Sequence, residues 1–326
     1  MTTARHMIGI DLGGTNMQVG VVSSDGRVLA SLKRKTKASE GFEAVLDRMA
    51  SAVDAACSEA KADRVTLGGV GIGAPGVIGA DGVVIEAVNL RWNDVALADE
   101  LGDRVRLPVY VDNDVNVALY GEFIAGAARG DTHILGVWIG TGIGGAIILD
   151  GRLYYGKHNT AGEIGHTILM PNHPPGSRTL EHNCSRTAIV DRLVRLIRAN
   201  HPSLLVELSG GDLDDIRSKA IAEAYKRDDP LTVEVVDSAA DLLGIAIANA
   251  VTLLSLERVV LGGGLTESLG QPLVKRVKES VRRFVYPDLL RSVKIVASEL
   301  DELAGIVGAA MLARDRLGAG GEEGDA

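Results

Sequence analysis

Residues 7–32 read MIGIDLGGTNMQVGVVSSDGRVLASL, and residues 134–153 read ILGVWIGTGIGGAIILDGRL. Each stretch opens on an apolar run of strand length, Ile8–Leu12 in one and Ile134–Ile139 in the other. A glycine cluster stops each run: Gly13-Gly14, and then Gly140-Thr141-Gly142-Ile143-Gly144-Gly145. A further strand follows in each, Met17–Ser23 and Ala146–Leu149, and each then meets an Asp-Gly-Arg turn, at Asp25–Arg27 and Asp150–Arg152. Farther along, RVTLGGV (Arg64–Val70) is answered by RVVLGGG (Arg258–Gly264). Three echoes in one order predict a duplicated strand–hairpin–helix–strand unit rather than a short-period solenoid.

Around these repeats the pattern predicts strands at Val28–Leu32, Val65–Ile72 and Pro108–Val111. Phe42–Ala60 carries Val45, Met49, Val53 and Ala56 at helical spacing, and further helices are expected from Asp114, over Leu180–Asn200 and over Leu303–Leu317. The small residues Ala304-Gly305, Gly308 and Ala309-Ala310 suit that last helix to close packing. No low-complexity linker divides the halves. The expected boundary is therefore the end of the first sheet: residues 1–113 as a smaller N-terminal domain, with helix 304–317 packed back on it, 114–303 as a larger C-terminal domain, and 318–326 as a disordered tail.

The chain has 326 residues, 46% hydrophobic and 24% charged, with a formal charge of −9. That balance fits a globular protein and argues against a nucleic-acid partner, which a basic face would announce. Cys57 and Cys184 make no disulfide framework, so a reducing, cytoplasmic setting is expected. The opening MTTARHMIGIDL has no apolar core of signal-peptide length, and Gly244–Leu256 is too short and too interrupted to span a bilayer, so no membrane partner is expected.

The strand ends Asp11–Asn16, Gly140–Gly145 and Gly262–Gly264 all finish in glycine. Phosphate binding needs backbone N–H groups converging with no Cβ in the way. Thr15 and Thr141 add hydroxyls, and Asp11 is placed to hold hydrated Mg²⁺ between phosphates. None of the three is a Rossmann fingerprint, and none is a P-loop, because no lysine follows the glycines. One loop in each repeat and a third beyond is what a nucleotide clamped between two domains requires.

At this point the motifs resemble a known family, the ROK (repressor, open reading frame, kinase) sugar kinases. DLGGTN (Asp11–Asn16), GIGAPG (Gly71–Gly76), NLRW (Asn89–Trp92), DND (Asp112–Asp114), GTGIGG (Gly140–Gly145), AGEIGH (Ala161–His166), LGGGL (Leu261–Leu265) and AGIVGAAMLA (Ala304–Ala313) match its motifs in order. The resemblance runs from about residue 7 to 317, and AGEIGH is its most specific part. It implies a two-domain actin-like ATPase (ribonuclease H-like) α/β fold with duplicated βββαβα units and a cleft between; the expected boundary near Asp112–Asp114 then predicts closure on sugar, which would exclude water. It also implies transfer of the ATP γ-phosphoryl group to a hexose, with ATP and Mg²⁺ as cofactors, and a homodimer. ATP is expected on Asp11, Gly13, Gly14, Thr15, Asn16, Gly140, Thr141, Gly142, Gly144, Gly262, Gly263 and Gly264.

A hexose presents a ring of hydroxyls, which calls for carboxylates, amides and imidazoles. The resemblance puts Glu163, His166 and Glu181 on the sugar, Asn113 beside the catalytic Asp114, and Asn89 as a further contact. Asp114 suits a general base, since a carboxylate at a helix start stays ionised. On the residues alone, it competes with Asp112 for that role and with a simple N-cap reading; Glu181 has the equally plain role of balancing a helix dipole. Many relatives bind structural zinc through a C-x-C-G-x-x-G-C-x-E run after the signature histidine. Here the cysteine positions hold Asn172, Pro174 and Thr179, so no structural zinc is expected. A compensating set of His166, His173, His182 and Cys184 is the alternative, with His182 and Cys184 two residues apart on a helix and so on different sides. Pro171, Pro174, Pro175 and Arg178 are left to hold that loop. A repressor of this family carries an N-terminal DNA-binding segment, for which a phosphate loop at Asp11 leaves no room, and a chaperone ATPase has no use for AGEIGH. Glucose is the expected hexose, with N-acetylmannosamine, mannose, fructose and allose as alternatives.

Overall fold

The computed structural model describes residues 6–319. The first part of the chain forms β1 (His6–Leu12), β2 (Asn16–Val22), β3 (Val28–Lys35), α1 (Phe42–Ala60), β4 (Leu67–Ala74), β5 (Val77–Ile78), β6 (Val84–Ala87), β7 (Trp92–Val95), α2 (Leu97–Val105), β8 (Val109–Asn113) and α3 (Asp114–Ala125). The second forms β9 (Ile134–Ile139), β10 (Ile143–Leu149), β11 (Arg152–Leu153), α4 (Glu181–Cys184), α5 (Arg186–Arg198), α6 (Leu205–Leu208), α7 (Ser218–Lys226), α8 (Pro230–Leu254), β12 (Arg258–Gly262), α9 (Gly264–Leu269), α10 (Gln271–Phe284) and β13 (Lys294–Ala297), before α11 (Ala304–Ala319). No helix among the described residues is long and apolar enough to cross a membrane.

The repeat read from the sequence is a repeat of topology. One five-stranded sheet runs β3-β2-β1-β4-β8 and the other β11-β10-β9-β12-β13. In each, an antiparallel three-strand meander is followed by two parallel strands. Each has its own core: Ile8, Ile10, Val19, Met49, Val53 and Ile72 in the first, and Leu135, Val137, Ile247, Leu261 and Val277 in the second. A small third sheet, β5-β6-β7, carries the NLRW turn.

Contacts divide the chain after Gly130, not at 113/114. Among the described residues, unit 1 holds those through Gly130, then Tyr155–Ala161 and those from Glu302 to Ala319; unit 2 holds Asp131–Tyr154 and Gly162–Asp301. The reason is α3, which packs on α11 rather than leaving with the second repeat. Other expectations move by a few residues. Arg64–Thr66 is a 3-10 turn fastened by Thr66 Oγ1 donating to Asp63 O at 2.6 Å, so the strand starts at Leu67. The helix expected over Leu180–Asn200 is two, because Ser185 is extended and its hydroxyl caps α5 by accepting from Ala188 N at 3.1 Å. Gly318 and Ala319 belong to α11, where a glycine in the last turn costs only about 1 kcal/mol; residues 320–326 of the expected tail lie outside the described residues.

The loop from His166 to Glu181 is held by protein groups. Ile168 bridges Thr179, Leu169 N donates to Arg178 O at 2.9 Å, and Leu180 N donates to Thr167 O at 3.0 Å. Arg178 Nε donates to His173 O at 2.6 Å, and Asn183 Nδ2 donates to the carbonyls of Ser177 and Thr179. The residues present do not fit a tetrahedral zinc site. Thr179 shares a hydrogen bond with His182 Nδ1 at 2.9 Å, and Cys184 is buried in the apolar core of unit 2 beside Leu180 and Ile189 rather than among polar ligands. Protein purified without a histidine tag should carry far less than one zinc per chain by elemental analysis and keep its folded signal after chelation. Stoichiometric zinc would contradict this.

Close approach of α11 is the other constraint. A Cβ at Gly9 or Gly71 would fall on the carbonyl oxygens of Ile306 or Ala309, and one at Gly308 on the carbonyl of Val117 in α3. Backbone therefore lies on backbone at three places, which only glycine permits. Gly308→Ala should lower the melting temperature by several degrees, a cost of about 1–3 kcal/mol or more. Gly318→Ala, in the same helix with nothing near the added methyl, should leave it unchanged or slightly raise it. Equal melting temperatures for the two variants would refute the packing account.

Candidate functional site

In unit 1 the DLGGTN turn is closed by Gly13 N donating to Asn16 O at 2.9 Å. Thr36 braces it, with Oγ1 donating to Gly13 O at 2.6 Å and its N–H to Thr15 O at 2.9 Å. Asn89 is exposed on the NLRW turn and stands directly over Gly14, where a Cβ would lie 3.0 Å from the Asn89 carbonyl. Asp11 lies opposite Gly73 of β4, and Gly305 of α11 leaves room for its carboxyl. Burial pushes that carboxyl up to about 7; the negative Asp114 adds to the shift and Lys33 opposes it. A carboxyl poised between its two states beside a second carboxylate suits a divalent cation, which would favour ionisation, so Asp11 fits Mg²⁺.

The junction of β8 and α3 sorts the three residues of DND. Asn113 is the N-cap: Oδ1 accepts from Val115 N at 2.8 Å and Asn116 N at 3.2 Å, while Nδ2 donates to Gly76 O at 3.1 Å. One amide proton of Asn113 remains for a ligand. Asp112 is buried and accepts four hydrogen bonds, on Oδ1 from Asn113 N (2.7 Å) and Asn116 Nδ2 (2.9 Å), on Oδ2 from Tyr110 (3.1 Å) and Tyr155 (2.7 Å). Burial and the Asp112 charge raise both tyrosines, Tyr110 to about 12, so they stay neutral donors. Arg316 of α11 completes the cluster over the Tyr155 ring, 5.7 Å from its centroid. Asp114 is therefore not the cap. It is the first helical residue, half-buried, and its Oδ1 accepts from Val115 N at 2.9 Å.

In unit 2 the loop between β9 and β10 is shorter than its sequence suggests. Gly140 N donates to Gly142 O at 2.9 Å, and Ile143 already pairs with Ile139, which puts Gly144 and Gly145 in the strand. The glycines of AGEIGH press this segment onto β10: a Cβ at Gly162 would stand 2.6 Å from Gly145 O, and one at Gly165 would meet the Ile143 carbonyl. With Ile164 buried between them, Glu163 and His166 are both exposed and lie 3.9 Å apart, Oε2 to Nε2. Glu181 points at the same strand. Its Oε2 accepts from Ile143 N at 2.8 Å, and the missing Cβ of Gly142 makes room for it. In the third cluster, Gly262 ends β12 against Trp138, Gly263 turns at φ 86° against Ile139, and Gly264 opens α9 with open space where a Cβ would stand.

Several participants escaped the sequence reading. Tyr110, Tyr155 and Asn116 brace DND, and Arg186 and Thr187 reach the GTGIGG loop. Tyr110, two residues before Asp112 on the same face of β8, and Asn116, four residues after it, had a local signal; Tyr155 reaches Asp112 across 43 positions.

The model of the ROK family matches residues 7–316. The chain is 35% identical over 318 residues to the glucokinase of Thermotoga maritima, covering 96% of this chain and 98% of that one. It is 32% identical to the glucokinase of Streptomyces coelicolor, over 94% of this chain and 97% of that one. Among solved structures, a ROK family glucokinase from Streptomyces griseus in complex with glucose and AMPPNP matches with a TM-score of 0.85 and 32% identity, covering 95% of this chain and 99% of that one. The chain belongs to the ROK family, and its two like sheets are those of that family's actin-like ATPase fold.

Proposed function

We propose that this protein is an ATP-dependent hexose kinase acting on glucose, with Asp114 as its general base. The observation that carries the reading is the division of labour in DND: Asn113 caps, Asp112 is filled by four donors, and Asp114 stands half-buried at the first position of α3, close enough to Asp11 for its charge to act there. The glucokinase relatives supply the choice of glucose.

In this reading Asp114 accepts the proton of the sugar hydroxyl as its oxygen bonds to the γ-phosphorus of ATP, and ADP departs with the former bridging oxygen. Glu163 and His166 hold ring hydroxyls, with Asn89, the remaining Asn113 proton and the second oxygen of Glu181 as further contacts. The N–H groups and hydroxyls of Gly13–Asn16, Gly140–Gly142 and Gly262–Gly264 meet the nucleotide. Asp11 would hold Mg²⁺, which screens phosphate charge when bound.

A comparison of kcat/KM for glucose, N-acetylmannosamine, mannose, fructose and allose with Mg-ATP tests the reading. Glucose should lead by about tenfold or more, the scale that one missing or misplaced polar contact commands. Another sugar ahead of glucose would move the substrate, and ATP hydrolysis indifferent to every sugar would overturn the kinase assignment.

A further inference from the structure

A nucleotide triphosphate brings several negative charges, yet GTGIGG holds no lysine or arginine. One guanidinium of unit 2 reaches it. Arg186, the first residue of α5, donates from Nη2 to Thr141 Oγ1 at 3.2 Å, and its backbone N–H donates to Gly140 O at 3.0 Å. Next to it, Thr187 Oγ1 donates to Thr141 O at 2.8 Å. The main chain thus fixes where Arg186 starts, and the loop tip fixes where its side chain ends.

Its charge is uncommitted. Among the described residues no carboxylate lies within ion-pair distance of Arg186, whereas Arg258 is paired with Asp131 and Arg276 with Asp241 and Asp237. A single bond to a neutral hydroxyl uses one of five guanidinium donors. The remaining fork matches phosphate oxygens, and such charge-assisted pairs are the stronger class of hydrogen bond. A half-exposed arginine tethered to a glycine-rich loop is placed to meet charge that arrives there.

We infer that Arg186 is a further phosphate-binding residue, which engages the terminal phosphates of the nucleotide at the Gly140–Gly142 loop. This rests on the reading that the loop receives ATP. The competing account is that Arg186 merely fastens α5 to the loop, in which case nucleotides of every phosphate count should suffer alike when it is changed.

Arg186→Gln keeps a donor for Thr141 and removes the charge; Arg186→Lys keeps the charge without the fork. Dissociation constants for AMP, ADP and ATP with Mg²⁺, by calorimetry, separate the accounts. For Arg186→Gln the loss should be graded, about tenfold or more for ATP, smaller for ADP and within about twofold for AMP, with glucose affinity unchanged. Arg186→Lys should recover part of the ATP loss. An equal loss for all three nucleotides, or no loss, overturns the inference. If the Gln variant does not fold, the same grading in Arg186→Lys decides it. A wild-type protein that binds no ATP would instead sink the proposed function, so the two failures are distinct.

Discussion

The buried carboxylate of Asp112 is the interaction on which the candidate site depends. A charge or a polar group taken from water costs several kcal/mol unless donors replace the lost hydration. Here four donors do so, from Asn113, Asn116, Tyr110 and Tyr155. They belong to β8, to α3 and to the Tyr155–Ala161 segment, which leaves unit 2 in sequence but belongs with unit 1. One carboxylate thereby fixes the exit of β8 and the first turn of α3. With that turn fixed, Asn113 caps it and Asp114 falls at the first helical position.

Glycine answers two demands in this chain, which is why a glycine cluster is weak evidence by itself. Gly14 admits Asn89, Gly142 admits Glu181, and Gly262 admits the Trp138 indole. Those glycines are required by neighbouring protein atoms whether or not phosphate ever arrives. Gly140 and Gly264, each with open space where a Cβ would stand, are the cluster glycines whose smallness the surrounding protein does not explain. What points to phosphate is the placement of such loops at equivalent strand ends of two sheets of equal topology, and the sheets were legible because strand alternation and turn residues are local signals.

What stayed hidden depended on partners remote in sequence. The division after Gly130 follows from the packing of α3 against α11, which no feature of residues 114–125 announces. Glu181 could be placed at a helix start from its neighbours, but its bond to Ile143 N spans 38 positions. Ser185 was a missed local signal: a serine before a run of helix formers is an ordinary N-cap, and its extended backbone splits the expected helix. For DND, sequence supplied three polar residues and the resemblance favoured the third; only the hydrogen bonds of the folded chain separate the cap, the buried anchor and the remaining carboxylate.

The most direct measurement pairs Asp114→Asn with Asp112→Asn and reads both turnover and melting temperature. For Asp114→Asn the account predicts a near wild-type melting temperature, retained glucose affinity and a kcat lower by ~10²–10⁴-fold, the usual cost of losing a general base. For Asp112→Asn it predicts a clear fall in melting temperature, because the neutral amide meets four donors that were satisfied by a carboxylate. An Asp114→Asn protein that keeps more than about a tenth of the wild-type kcat, or an Asp112→Asn protein that melts normally while losing turnover, would contradict it.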